Sequence, residues 1–210
     1  MTDRVTPSDP DTLRAADAVR AAGGARPDVA IILGSGLGDA LEQMEIEAEM
    51  SYSDVPGFPP PSVPGHAGRL LVGRCAGVPA VAFLGRIHFY EGHPMRVVTL
   101  PARLAAALGA RTLIATAAVG GLDPALPAGS LVVGTDHLNF MGENPLRGWA
   151  DDEGRPPFVD LGTAYDREIV ELALSSAGEL GMEPRPGVYA AMPGPTYETR
   201  AEIEFLRRSG

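Results

Sequence analysis

The chain of 210 residues contains no lysine; all 17 of its basic residues are arginine. That absence excludes lysine Schiff-base chemistry, P-loop nucleotide hydrolysis and kinase-type phosphoryl transfer, each of which depends on a lysine side chain. Cysteine occurs once, at Cys75, so an intrachain disulfide and a cysteine-built zinc site are both excluded. No apolar run approaches the length of a membrane span, and the opening MTDRVTPSDPDT is too polar for a signal peptide. Basic charge is in the minority: 27 acidic residues give a net charge of −10 and a pI near 4.8. A general nucleic-acid binder is therefore not expected. These exclusions point to a cytoplasmic α/β protein without nucleic-acid or membrane partners.

Glycine and proline are abundant, at 26 and 20 residues. They fall between apolar segments rather than in low-complexity tracts, so they read as turns and loops. Residues 1–11 read as frayed. A helix is expected over Thr12–Ala22 and another over Pro94–Leu108, with Pro94 in its first turn and Gly109 at its end. Asp28–Gly34 reads as a buried strand running into glycines, and so does Arg111–Gly121. GRLLVGRC and VPAVAFLG read as a strand pair joined by Ala76–Gly77. One or two strands are expected in GSLVVGTDHLNF, a helix over Thr163–Leu180, and a strand in GVYAAMPGP. A last helix is expected from TYETRAEIEFLRRSG, with Thr196 as its cap and Glu198 or Thr199 in its first turn. Strands that end repeatedly in glycines predict carboxyl ends converging on one crevice. Val55–Gly65 and Met141–Phe158 are the long irregular stretches, of the kind that form functional loops.

Five segments carry candidate chemistry. ILGSGLG, Ile32–Gly38, brings backbone amides and the Ser35 hydroxyl to a glycine loop able to approach an anion. Its glycines at 34, 36 and 38 do not match the dinucleotide-binding spacing, and a tight strand-to-helix turn explains it equally well. PGHAGRLLVG holds His66 and Arg69. LGRIHFYEGHP holds Arg86, His88, Tyr90, Glu91 and His93. Arg86 and His88 stand two apart, on one side of an extended chain, as an oxyanion clamp requires. The alternative is a buried, satisfied His88 with Arg86 paired to Glu91. A metal site from His66, His88 and His93 lacks carboxylate partners and helical spacing. TAAVGG, Thr116–Gly121, offers amides at a strand end, or simply close packing. MPGPTYETRAE sets Tyr197 beside Glu198, an aromatic and a carboxylate suited to a flat heterocycle. Alternatively Glu198 is a first-turn helix acid.

In this order, the five segments together with TDHLNFMGENPLRG and AYD resemble the homotrimeric, low-molecular-mass purine nucleoside phosphorylases, from about Ala30 to the last residue. The resemblance implies a mixed, distorted central β-sheet flanked by helices, as one domain over 1–210. It implies phosphorolysis of 6-oxopurine ribo- and deoxyribonucleosides to free base and (deoxy)ribose 1-phosphate, in purine salvage. Orthophosphate is then a co-substrate, and no cofactor or metal is implied. Ser35, His66, Arg86, His88 and the amide of Ala118 correspond to the phosphate shell. Tyr90 corresponds to a residue along the ribose. Tyr197 lies where the family often has Phe against the purine, and Glu198 where a carboxylate holds the purine edge. His88 and Glu198 take the catalytic roles. Phe158 matches an aromatic fed into a neighbouring subunit's site, which implies a homotrimer. TAAVGG departs from the family's TNAAGG at Ala117. The family also continues beyond the position of Gly210, so the chain is expected to lack that C-terminal part. The rival readings are a methylthioadenosine phosphorylase, an inactive phosphate-binding remnant and a dinucleotide-binding domain.

Overall fold

A computed structural model describes residues 9–23, 26–34, 36–60, 68–150 and 153–209. The chain divides into two compact units, Met1–Ala118 and Val119–Gly210.

The first unit is built on a five-stranded mixed sheet. Its strands are β1 (Val29–Leu33), β2 (Glu45–Ser51), β3 (Arg69–Cys75), β4 (Val78–Leu84) and β5 (Thr112–Ala115), in the order β2-β3-β4-β1-β5. β3 and β4 form the expected antiparallel hairpin across Ala76–Gly77, and β2 adds antiparallel to β3. β1 runs parallel to both β4 and β5. Leu33 pairs with Leu84 and Ile32 with Ala115, so three strands leave the sheet at one end.

Two helices close one face. Helix α1 (Pro10–Ala21) and helix α3 (Leu100–Leu108) bury Ala15, Ala16, Val19, Leu100 and Leu104. These pack in one cluster with Leu70, Val81 and Phe83 of the sheet. The other face gathers a smaller cluster of Leu33, Leu41, Met44, Leu71 and Leu84.

The structure of this unit differs from expectation in four places. Residues 1–8 of the stretch expected to be frayed lie outside the described residues, but Asp9–Asp11 are anchored. Asp9 caps α1, accepting from the Thr12 amide at 3.2 Å and the Thr12 hydroxyl at 2.7 Å, and it binds Arg96 and Arg103. Burial alone would raise its pKa, but hydrogen bonds from Thr12, Arg103 and Arg96 hold it well below the usual carboxylate range. The helix expected over Pro94–Leu108 is two, α2 (Met95–Val98) and α3, with Thr99 between them. Pro101 has no amide to donate and its ring crowds the carbonyl four residues back, so one continuous helix cannot form. The strand expected over Arg111–Gly121 ends at Ala115 and is not buried. β5 is a sheet edge, and Leu113 and Ile114 are exposed. Finally, β2 was not foreseen, although Ile46, Ala48, Met50 and Tyr52 alternate with polar residues at the period of a strand. A bulge between Ile46 and Ala48 interrupts that pattern. Opposite it stands Gly73, where any Cβ would collide with the Glu45 carbonyl.

The second unit pairs two strands in parallel, β6 (Val132–Asn139) and β7 (Arg185–Ala191). Helix α4 (Arg167–Glu179) begins four residues later than expected. Asp166 is its cap and accepts from the amides of Glu168 and Ile169. Helix α5 (Arg200–Arg207) is capped by Thr199, not Thr196. Thr199 and Glu202 form a reciprocal capping box: the Thr199 amide donates to the Glu202 carboxylate at 2.6 Å, and the Glu202 amide to the Thr199 hydroxyl at 3.3 Å.

Candidate functional site

In a parallel sheet, ligands gather where strands end and loops begin, because backbone amides there are not used in the ladder. The first unit has three such ends side by side: Leu33 to Gly34, Leu84 to Gly85 and Ala115 to Thr116. At the usual strand spacing they span roughly 10 Å. Two of the five candidate segments meet directly. The Gly34 amide donates to the Thr116 hydroxyl at 3.0 Å, and the Thr116 amide donates to the Ile32 carbonyl at 2.9 Å. A Cβ on Gly34 would lie 2.8 Å from the Thr116 carbonyl oxygen and 3.0 Å from the Ala117 Cα. Glycine is thus required at 34 because another backbone passes against it. Ala118 stands exposed two residues beyond Thr116. Ser35 and His66 lie outside the described residues.

Between these ends, the chain leaves β4 through Gly85, whose φ is 107°. Arg86 and His88 follow, both half-buried. A tight helical turn, Phe89–Glu91, fixes the histidine. The His88 amide donates to Glu91 Oε1 at 2.7 Å, and His88 Nδ1 lies 2.8 Å from the same oxygen. The second Glu91 oxygen lies 3.9 Å from His93 Nε2. A carboxylate on Nδ1 orients the ring. Tyr90 stacks its ring on His88, at 4.7 Å between centroids and 20° between planes, and is otherwise exposed. Arg69 is occupied elsewhere, bonding Glu49 at 2.9 Å. A cleft of about 310 Å³ opens beside the glycine loop, lined in part by Gly34, Gly36, Asp39, Arg69 and Gly85. Arg86, His88 and Ala118 are not among its lining residues.

Tyr52 and Glu91 support this loop, and neither was given a site role by the sequence. Glu91 could have been found from its spacing, three residues after His88 at the start of a turn. Tyr52 could have been found only by recognising β2. Its hydroxyl donates to the Gly85 carbonyl at 2.6 Å, and burial pushes its pKa above the ordinary tyrosine value, so it remains a donor.

The remaining site candidates belong to the second unit. Tyr197 and Glu198 follow β7 after a cis peptide between Gly194 and Pro195. Thr199 is the cap, so Glu198 lies outside helix α5, and Glu202 is the acid of its first turn. This corrects the placement of Glu198 in the first turn and removes the helix-acid explanation for it. Glu198 is half-buried and has no hydrogen-bond partner among the described residues. Tyr197 and Phe158 are each 96% exposed. Among the described residues, no group of three His, Cys, Asp or Glu could hold a metal ion, and no helix is long and apolar enough to cross a membrane.

Comparisons with known proteins bear on the whole arrangement. The family model described as Phosphorylase superfamily matches residues 28–210. Purine nucleoside phosphorylase 1 of Bacillus subtilis (strain 168) is 45% identical over 184 residues, covering 88% of this chain and 68% of the relative. Purine nucleoside phosphorylase of Bos taurus is 42% identical over 190 residues, covering 88% and 66%. The chain thus spans about two-thirds of the length of these relatives. Among solved structures, isoform 2 of purine nucleoside phosphorylase from Schistosoma mansoni, in complex with cytosine and ribose-1-phosphate, superposes with a TM-score of 0.85. It is 39% identical, and the match covers 95% of this chain and 72% of that one.

Proposed function

Given that the chain belongs to the purine nucleoside phosphorylase family of the phosphorylase superfamily, we propose that it catalyses phosphorolysis of purine nucleosides. A purine ribo- or deoxyribonucleoside and orthophosphate give the free base and (deoxy)ribose 1-phosphate. The observation that carries this reading is the shared strand end in the first unit. It sets the glycine loop, the Arg86–His88 loop and the Thr116–Ala118 segment on three adjacent strands.

The reaction breaks the bond from C1′ to the purine nitrogen and forms one from C1′ to a phosphate oxygen. The sugar gains oxocarbenium character as the bond stretches, and the electron pair passes to the departing base. Phosphate beneath the ribose is then both nucleophile and stabilising anion. Arg86, His88, Ser35, His66 and the Ala118 amide form its shell, in which arginine supplies a bidentate fork and amides supply fixed dipoles. The Glu91 carboxylate on His88 Nδ1 supports this role, since it fixes the orientation of the ring.

Glu198, outside the helix and with no hydrogen-bond partner among the described residues, accepts from N1–H of a 6-oxopurine and stabilises the charge that the leaving base acquires. A 6-aminopurine has no N1–H and leaves that carboxylate unsatisfied. Tyr197 packs on the base and Tyr90 lies along the ribose. Phe158 reaches a neighbouring subunit's site in a homotrimer; its near-complete exposure in the single chain is consistent with that assignment. Residues 1–210 are read as part of one phosphorylase domain, since the family match runs unbroken across both compact units. The reaction as written needs no metal or organic cofactor. Both substrates are small metabolites, and a cytoplasmic location is part of the same reading.

The test is hypoxanthine release from inosine, with and without phosphate. Release that depends on phosphate is expected. Faster turnover of methylthioadenosine than of inosine would transfer the reading to that relative. In parallel, phosphate or sulfate should raise Tm by mass action, and Arg86→Ala should abolish most of the rise. No rise in the parent protein would remove the anion site.

A further inference from the structure

Beyond the residues already assigned to the reaction, one buried polar side chain reaches the backbone that carries them. Tyr52 follows β2 within the core of the first unit and is 3% exposed. Its hydroxyl donates to the Gly85 carbonyl at 2.6 Å, near the short end for such a bond. Its amide donates to the Gly68 carbonyl at 2.7 Å. Both acceptors are buried glycines with positive φ, 107° at Gly85 and 56° at Gly68. These are the places where the chain turns out of β4 and into β3. The ring itself is held by packing: it tilts against Phe58 at 4.8 Å, and Phe58 stacks on Phe83 of β4 at 6.2 Å. The hydroxyl is therefore a donor on a fixed post, and Gly85 immediately precedes Arg86.

We propose that Tyr52 is a positioning residue for phosphate, setting through the Gly85 carbonyl where the Arg86–His88 loop leaves the sheet. The inference rests on the phosphorolysis reading above and names a residue that acts through the backbone, without touching substrate. Its physical basis is that a carbonyl in a left-handed turn can rotate when its donor is lost. An arginine two bonds further on then swings, and fork recognition of an oxyanion is sensitive to sub-ångström displacement. Tyr197 and Glu198 follow β7 in the second unit, whereas Tyr52 acts on the backbone of β4 in the first, so nucleoside binding is expected to remain unchanged.

The experiment compares Tyr52→Phe, Leu104→Ala and the parent; Leu104 is a fully buried core residue of α3. Tyr52→Phe keeps the ring and its packing and removes only the donor. Its KM for phosphate should rise roughly fivefold to tenfold, with the KM for inosine within about twofold of the parent. The phosphate concentration giving half the Tm rise should increase by the same factor. Leu104→Ala should lower Tm in the absence of phosphate but leave the phosphate KM within about twofold. Replacing Tyr52 by para-aminophenylalanine, which restores a donor, should bring the phosphate KM back. A Tyr52→Phe protein that loses Tm but keeps the parent's phosphate KM would overturn the inference, because the hydroxyl would then be structural only. An equal rise in Leu104→Ala would overturn it as well, since general loosening would explain both. A parent that responds to phosphate in neither assay would overturn the phosphorolysis reading, and this inference with it, and that outcome is read from the parent alone.

Discussion

The two compact units differ sharply in how they bury their apolar residues. The first sandwiches a five-stranded sheet between α1 and α3 on one face and a smaller apolar cluster on the other. Phe83, Leu70 and Leu104 have no exposed surface there. In the second unit, Ala177 and Leu206 are the buried apolar residues among those described. Leu172 and Leu180 of the same unit are 63% and 76% exposed. A two-stranded sheet has too little surface to close a core by itself, whereas five strands with helices do. Arg86 and His88 therefore leave a well-buried sheet, and the proposed base contacts belong to a lightly buried unit. Anion binding and base recognition should consequently separate under perturbation.

The largest effect tests the frame. Phe83→Ala should cost about 3–5 kcal/mol of stability, from lost burial and the cavity left behind. Leu172→Ala, at an exposed position of α4, should stay within about 0.5 kcal/mol. Denaturant unfolding monitored for both variants checks the contrast, and comparable losses would erase the difference between the units.

Next comes separation of function. Glu198→Gln should lower kcat/KM for inosine by about a hundredfold or more, roughly 2.7 kcal/mol of transition-state stabilisation. The rise of Tm with phosphate should survive. Activity within threefold of the parent would remove Glu198 from the site, and loss of the phosphate response would show that the two regions are not independent.

The smallest effect sharpens the account of why the first unit is closed. Asp9 joins α1 to Arg96 of α2 and Arg103 of α3. Asparagine caps a helix as well as aspartate does, so Asp9→Asn isolates the charge. A cost on the order of 1–2 kcal/mol is expected at pH 7. Because the folded pKa of Asp9 is depressed, its contribution is present above the ordinary carboxylate pKa of about 3.9. It is lost as pH falls below that value toward the folded pKa. Stability measured from pH 6 downward should therefore fall less steeply in Asp9→Asn than in the parent, and identical acid limbs would exclude Asp9 as a source of acid sensitivity.

Much of this was legible in the chain. The β3–β4 hairpin, β1 running into glycines, and the existence of α1, α4 and α5 follow from local pattern and turn residues, because apolar periodicity and glycine act over a few positions. Strand β2 was missed because its bulge exposes Ile46 and its outward face is a run of glutamates, which hides a real alternation. The ordered motifs pointed to the family, since several spaced segments rarely recur together by chance. They could not show that Thr199 rather than Thr196 caps α5, because both are good caps and the choice depends on where Pro193 and Pro195 turn the chain.

The sequence by itself determined the chemistry available: arginine without lysine for anions, histidine beside a carboxylate, and a tyrosine–glutamate pair following a proline turn. Only the tertiary structure decided which distant groups share an atom. Gly34 meets Thr116 across 82 residues, and Tyr52 meets Gly85 across 33. Such contacts depend on parallel pairing and on the register of β1 between β4 and β5, which are set by how the whole sheet buries its faces rather than by any neighbouring residue.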